Sequence, residues 1–187
     1  MQKILFISGS ARNGCCKEIL EILQSNFWLE YSTNLVFIRD FDPKPCAGCD
    51  NCKERSYETD NFCIPDDRMG ILLEKVLDAD IVVLATPNYF YNVSSLTKNF
   101  MDKTNIFYHN KKLQGKKFIY VYIGNDDTSN TKKYLDNAMY GFTICHELNI
   151  LGSFALQSDE NKNFVDETAK NQTIADIVKV IRSNLDE

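Results

Sequence analysis

The chain has 187 residues, 44% of them hydrophobic, and a formal net charge of −5. That size and apolar content suit one folded domain burying roughly 70% of its unfolded surface, and they exclude a disordered chain. The acidic balance, with no basic patch or arm, argues against nucleic acid as a partner. Seven cysteines without a signal pattern suggest a cytoplasmic protein with reduced thiols.

Ile4-Leu5-Phe6-Ile7 is a short apolar run of the kind buried on both faces of a parallel sheet. A small, polar loop follows, Ser8-Gly9-Ser10-Ala11-Arg12-Asn13-Gly14, and helical periodicity begins near Cys16 with Ile19, Leu20 and Leu23 on one face. Strand, loop and helix in that order aim backbone N–H groups and a positive helix end at one point, where an anion fits. Gly9 and Gly14 have P-loop spacing, but Cys15 and Cys16 stand where Lys and Ser/Thr are needed. This argues against nucleoside triphosphate hydrolysis, and the absence of G-x-G-x-x-G argues against the usual dinucleotide fingerprint. What remains suits a phosphate monoester held without metal by Ser8, Ser10, Arg12 and backbone amides; an ordinary βα turn is the bland alternative.

The first helix is expected to end around Trp28 to Tyr31, and Leu35 to Ile38 reads as the second strand. Pro43 and Pro45 break regular structure before a polar, cysteine-bearing segment from Cys46 to Pro65. Connections of that length in a compact domain usually carry a function. Asp66 and Asp67 suit a helix start, with Met69, Leu72, Leu73, Val76 and Leu77 at helical spacing.

Ile81 to Ala85 is the third strand, and Thr86 to Asn92 reads as a loop with Pro87 as breaker. The longest uncharged stretch, Ile81 to Thr97, contains Pro87, two asparagines and several hydroxyls, so it is no membrane span. Ser94 suits the cap of a helix carrying Leu96, Phe100, Met101 and Ile106. Phe118 to Ile123 is the fourth strand, Gly124 to Asn130 a polar loop, Thr131 to Glu147 a helix, Asn149 to Gln157 the fifth strand, and Asp166 to Asn184 the last helix. Alternating strands and helices imply a parallel sheet covered on both faces. Ligands then bind beyond the carboxyl ends of the strands, where strand order reverses. The loops after strands one, three and four fall there. Pro87-Asn88-Tyr89-Phe90-Tyr91-Asn92 offers aromatic faces and amide groups to a flat heterocycle.

Three segments carry a resemblance: Gly9 to Gly14; Pro45 to Cys52 with Asp66-Asp67; and Pro87 to Ser94. Together they resemble the flavodoxin-like NAD(P)H-dependent FMN reductases, in particular the subgroup that includes the iron–sulfur flavoproteins. The resemblance covers nearly the whole chain. It implies a flavodoxin-like α/β fold, a three-layer doubly wound sheet of five parallel strands in the order 2-1-3-4-5, in a single domain with a cysteine-rich insertion at about 46–65. It also implies FMN as cofactor and NAD(P)H as electron donor. The phosphate would be held by Ser8, Ser10, Arg12, Gly14, Cys15 and Cys16. The ring would lie against Pro87, Asn88, Tyr89, Phe90 and Asn92 and near Gly124, Asn125 and Asp126. Cys15 and Cys16 depart from the family pattern, because thiols are weaker donors than the usual amide and hydroxyl. A helix N-terminus lowers a thiol pKa, yet the reading kept for this pair is structural or phosphate-facing.

Chemistry in such a protein belongs to the flavin, so no catalytic triad is assigned. His109 and His146 read as helix-face residues. Cys46, Cys49, Cys52 and Cys63 have the spacing C-x2-C-x2-C-x10-C. It suits an iron–sulfur cluster better than zinc, and the resemblance implies a [4Fe–4S] cluster, although the last gap is longer than the family's; metal-free thiols remain the alternative. Three functions stay open: an NAD(P)H-dependent reductase of a small acceptor, an electron carrier serving redox proteins, and a zinc-stabilised binding module. Homodimers or homotetramers are the expected assembly.

Overall fold

The computed structural model describes residues 1–50, 52 and 68–185. Five strands, β1 (Lys3–Ser8), β2 (Ser32–Phe37), β3 (Ile81–Pro87), β4 (Lys117–Gly124) and β5 (Asn149–Gln157), pair in parallel in the order β2-β1-β3-β4-β5. Six helices accompany them among the described residues: α1 (Cys15–Ser25), α2 (Met69–Asp78), α3 (Ser95–Lys103), the one-turn α4 (Asn105–Tyr108), α5 (Thr128–Cys145) and α6 (Glu167–Leu185).

Strand periodicity divides the core into two layers. Ile4, Phe6, Val83, Val121 and Ile123 point to the face covered by Ile19, Leu20 and Leu23 of α1 and by Ile177 and Ile181 of α6. Their neighbours Leu5, Ile7, Val82, Leu84, Tyr120 and Tyr122 point to the opposite face, covered by Leu72, Leu73 and Val76 of α2, Phe100 of α3 and Leu135 and Phe142 of α5. Each fully buried aliphatic side chain contributes about 1.5–3 kcal/mol relative to exposure.

Several boundaries differ from the sequence expectation. Pro87 closes β3 rather than breaking it. It pairs with Ile123, and the next N–H, that of Asn88, donates to the Ile123 carbonyl at 2.7 Å. Successive residues of a parallel strand donate to opposite sides, so with Asn88 donating to β4 the missing N–H of Pro87 breaks no bond of the β3–β4 ladder. The first helix ends at Ser25, beyond which Phe27 to Tyr31 continue as turns. The expected single helix after Ser94 is two pieces, divided at Thr104. The fifth helix starts at Thr128, because Asp127 caps it through Ser129 N (2.8 Å) and Asn130 N (3.4 Å). The expected start at Asp66-Asp67 lies outside the described residues.

Because all five strands run the same way, their carboxyl ends form one edge. Order reverses between β1 and β3, and the loops leaving those two strands face each other there.

Candidate functional site

The loop after β1 is fixed before it reaches α1. Gly9 N donates to Ala85 O at 2.8 Å, extending the β1–β3 ladder by one residue. A Cβ at Gly9 would lie 1.9 Å from Thr97 Oγ1, so only glycine allows this approach. Ser94 Oγ donates to Gly9 O (2.5 Å) and accepts from Thr97 N (3.1 Å), while Thr97 Oγ1 donates to Thr86 Oγ1 (2.9 Å). These hydroxyls are buried, and each finds a partner, as burial requires. The expected cap of α3 is thus also the anchor of the anion loop.

Beyond Gly9 the loop turns on its own hydroxyls. Ser8 Oγ accepts from Ser10 N (3.4 Å), and Ser10 Oγ accepts from Arg12 N (3.1 Å). Gly14 is the N-cap of α1 and has no side chain to accept from the first-turn N–H groups. Lys17 N turns back to Gly14 O at 2.8 Å, whereas the N–H groups of Cys15 and Cys16 lack intrahelical partners by geometry and sit at the positive end of the helix. Arg12 Nη2 donates to Tyr89 Oη at 3.1 Å and bridges this loop to the one after β3.

Cys15 and Cys16 are buried at the start of α1. Burial, aided by Glu18, raises the Cys15 thiol above its ordinary value, and burial also raises Cys16. Both thiols are thus shifted away from the reactive thiolate, which agrees with a structural or phosphate-facing pair. The helix contributes about 0.3–1 kcal/mol, and desolvation outweighs it. Cys15 Sγ donates to Lys162 O at 3.0 Å.

On the other side, a Cβ at Gly124 would lie 2.9 Å from Thr131 Oγ1 and 3.1 Å from Asn88 Cβ, so the β3 and β4 loops close together only over glycine. Asn88 Oδ1 is buried and has no hydrogen-bond partner among the described residues. Tyr89 and Asn92 exchange backbone bonds of 2.9 and 3.0 Å across a two-residue turn whose central residues, Phe90 (φ 53°) and Tyr91 (φ 56°), are both left-handed. Side chains hold this strained turn in place. Tyr91 Oη donates to Asp126 Oδ2 at 2.7 Å, lowering the carboxyl pKa, and its ring packs 4.5 Å from Tyr134.

These loops enclose a cleft of about 240 Å³. Ser10, Arg12, Gly14, Cys15 and Cys16 form one end; Pro87, Asn88, Tyr89, Gly124 and Asn125 form the other. Four expected residues stand apart from the lining. Ser8 is fully buried beneath the loop, Phe90 is 102% exposed, Asn92 is occupied by the turn and by Val93 N, and Asp126 braces Tyr91. Sequence reasoning missed Ile123 and the loop after β5, which adds Ser158, Asp159, Glu160 and Lys162. The available signal was that this polar loop leaves the same edge of the sheet.

The cysteine segment is different. Cys46 and Cys49 are exposed, Cys52 is half-buried with its sulfur accepting from Asn105 Nδ2 (3.1 Å), and Cys63 lies outside the described residues. Among the described residues no three His, Cys, Asp or Glu side chains gather where a metal ion could sit. His109 and His146 are both away from the cleft; His146 is buried, with Nε2 2.9 Å from Thr104 Oγ1. Among the described residues no helix is long and apolar enough to cross a membrane.

The family whose model matches, NADPH-dependent FMN reductase, aligns with residues 2–160. An iron-sulfur flavoprotein of Methanosarcina thermophila is 26% identical over 197 aligned residues, covering 99% of this chain and 100% of that one. An iron-sulfur flavoprotein of Archaeoglobus fulgidus is 31% identical over 103 residues, 54% of this chain; the match spans about half (48%) of that relative. Among solved structures, an apo NADH:FMN oxidoreductase superposes with a TM-score of 0.70 at 18% identity, covering 98% of this chain and 90% of that one. That likeness shows the fold.

Proposed function

Because the chain belongs to the NADPH-dependent FMN reductase family, in its iron–sulfur flavoprotein-like subgroup, we propose that it holds FMN in the cleft and passes electrons from NAD(P)H to a small acceptor such as a quinone or a free flavin. The observation that carries this reading is the pairing of an anion cradle with a ring slot at the switch point of the sheet. Two features suit the cofactor. The α1 cap leaves first-turn N–H groups for a phosphate, and the buried, unpartnered Asn88 Oδ1 suits the N–H edge of a flat heterocycle.

When bound, FMN accepts a hydride from the nicotinamide and releases electrons to the acceptor. The chain positions it. Arg12 and the loop amides hold the phosphate; Pro87 to Tyr89 and Gly124-Asn125 flank the ring; Tyr91, Asp126 and the Ser94–Thr97 hydroxyls keep those loops in register. Burial raises the pKa of both Cys15 and Cys16, which disfavours the reactive thiolate.

The cysteine spacing, present in a chain whose relatives are named iron-sulfur flavoproteins, supports a second reading. Here Cys46, Cys49, Cys52 and Cys63 hold a [4Fe–4S] cluster, and the protein exchanges single electrons with a redox partner. In either reading the expected assembly is a homodimer or homotetramer.

An absorption spectrum of anaerobically purified protein decides between them. A flavin spectrum that bleaches with NAD(P)H and recovers with a quinone supports the reductase. Broad iron–sulfur absorbance with poor bleaching supports the carrier. A colourless protein that does not take up added FMN removes both. Arg12→Ala is expected to weaken FMN binding by about 1.5–3 kcal/mol through the lost charge-assisted contact. Unchanged affinity would show that Arg12 is not the phosphate ligand.

A further inference from the structure

We propose that Tyr89 is a positioning residue for the anion end of the cleft: its hydroxyl holds the Arg12 guanidinium in place without neutralising it. This rests on the flavin reading above. Both side chains line the cleft, Arg12 from the loop after β1 and Tyr89 from the loop after β3. Arg12 Nη2 donates to Tyr89 Oη at 3.1 Å, across 77 residues of sequence.

The two partners differ in how firmly they are held. Arg12 is exposed, on a long side chain that loses rotamer freedom whenever it is fixed. Tyr89 stands on an anchored backbone. Its N–H donates to Asn92 O at 2.9 Å, its carbonyl accepts from Asn92 N at 3.0 Å, and the preceding N–H, that of Asn88, donates to β4. Its rigid ring has few torsions to order. The phenol is therefore the fixed partner and the guanidinium the held one. With Arg12 oriented before a phosphate arrives, less ordering is left to offset binding.

The chemistry of the anchor decides what Arg12 can still do. A carboxylate in the place of the phenol would hold the guanidinium and cancel its charge. A neutral hydroxyl holds it and leaves the charge for an anion. Among the described residues no carboxylate pairs with the Arg12 side chain, and Tyr89 is its hydrogen-bond partner. Tyr89 occupies one N–H of a donor-rich fork, so the other N–H groups remain for a phosphate. Burial and Cys15 raise the Cys16 thiol pKa, and the Arg12 charge opposes that rise. The held guanidinium thus acts on the first turn of α1, where the phosphate is expected.

Titration of the flavin-free chain with FMN and with riboflavin, followed by quenching of flavin fluorescence, tests the proposal. The two flavins present the same ring, and FMN alone brings a phosphate. Tyr89→Phe keeps the aromatic face and removes the hydroxyl. It should weaken FMN binding about three- to tenfold, the size of one net hydrogen bond, and leave riboflavin binding within about twofold of wild type. In an Arg12→Ala background the same substitution should move FMN binding by less than about twofold, because the hydroxyl has nothing left to position. Unchanged FMN affinity in Tyr89→Phe, equal weakening of both flavins, or an undiminished effect in the Arg12→Ala background would overturn the inference while leaving the flavin reading in place. A wild-type chain that binds neither flavin would overturn both.

Discussion

The cleft and the cysteine segment both begin at the carboxyl edge of the sheet, yet they are held in different ways. The cleft is made by loops leaving neighbouring strands. Gly9 continues the ladder to Ala85, Asn88 continues the ladder to Ile123, and buried hydroxyls join Gly9 to α3. Its geometry is an extension of the sheet. Pro45 to Asp50 are exposed, and Cys52 touches the body of the protein through Asn105. The lesson is that a loop inherits precision from the strand it continues.

Substitutions can break that contrast. Gly9→Val should have the largest effect, because its Cβ falls on Thr97 Oγ1. A loss of about 3 kcal/mol in urea unfolding is expected, with loss of flavin uptake. Ser94→Ala should cost about 1–2 kcal/mol, since it removes both the α3 cap and the donor to Gly9 O. Cys49→Ser should change unfolding by no more than about 0.5 kcal/mol while abolishing any bound iron. Wild-type iron content in that variant would refute the ligand assignment, and a large loss of stability would show the segment to be as firmly held as the cleft.

Thiol labelling sharpens the same contrast. Cys46, Cys49 and Cys145 are exposed and should react in the native protein, whereas Cys15 and Cys16 should react only on unfolding. Equal native rates would mean that the cleft opens as readily as the cysteine segment. The smallest expected effect concerns pH. Burial lowers the His146 pKa below its ordinary 6.5, so the unfolded chain takes up the proton first on acidification. The stability that the neutral imidazole contributes is complete above that value and declines as pH falls toward the depressed folded value. His146→Gln should flatten that decline, as followed by thermal melts across the interval.

Much of this was legible in the sequence. The apolar runs at Ile4, Ile81 and Phe118 identified β1, β3 and β4, because strands buried on both faces need uninterrupted apolar residues. Ser94 announced its cap, and the loops around Arg12, Asn88 and Gly124 meet at the switch point as the topology requires. What was not legible depends on tertiary placement. Pro87 read as a breaker because the sequence does not reveal that its nitrogen points away from β4 at the last residue of β3. That burial outweighs the helix end at Cys15 and Cys16 becomes visible only once the core exists. Phe90 read as part of the ring slot, but two successive left-handed residues turn it out to solvent. The acidic loop after β5 carries no motif and enters the site by position alone.

The most direct test of the central claim is a crystal structure of the chain soaked with FMN. The phosphate should sit at the first turn of α1, within hydrogen-bonding distance of the Ser10–Cys16 loop. The ring should lie between Pro87–Tyr89 and Gly124–Asn125. FMN found at any other place on the chain, with this cleft filled only by water, would contradict the account.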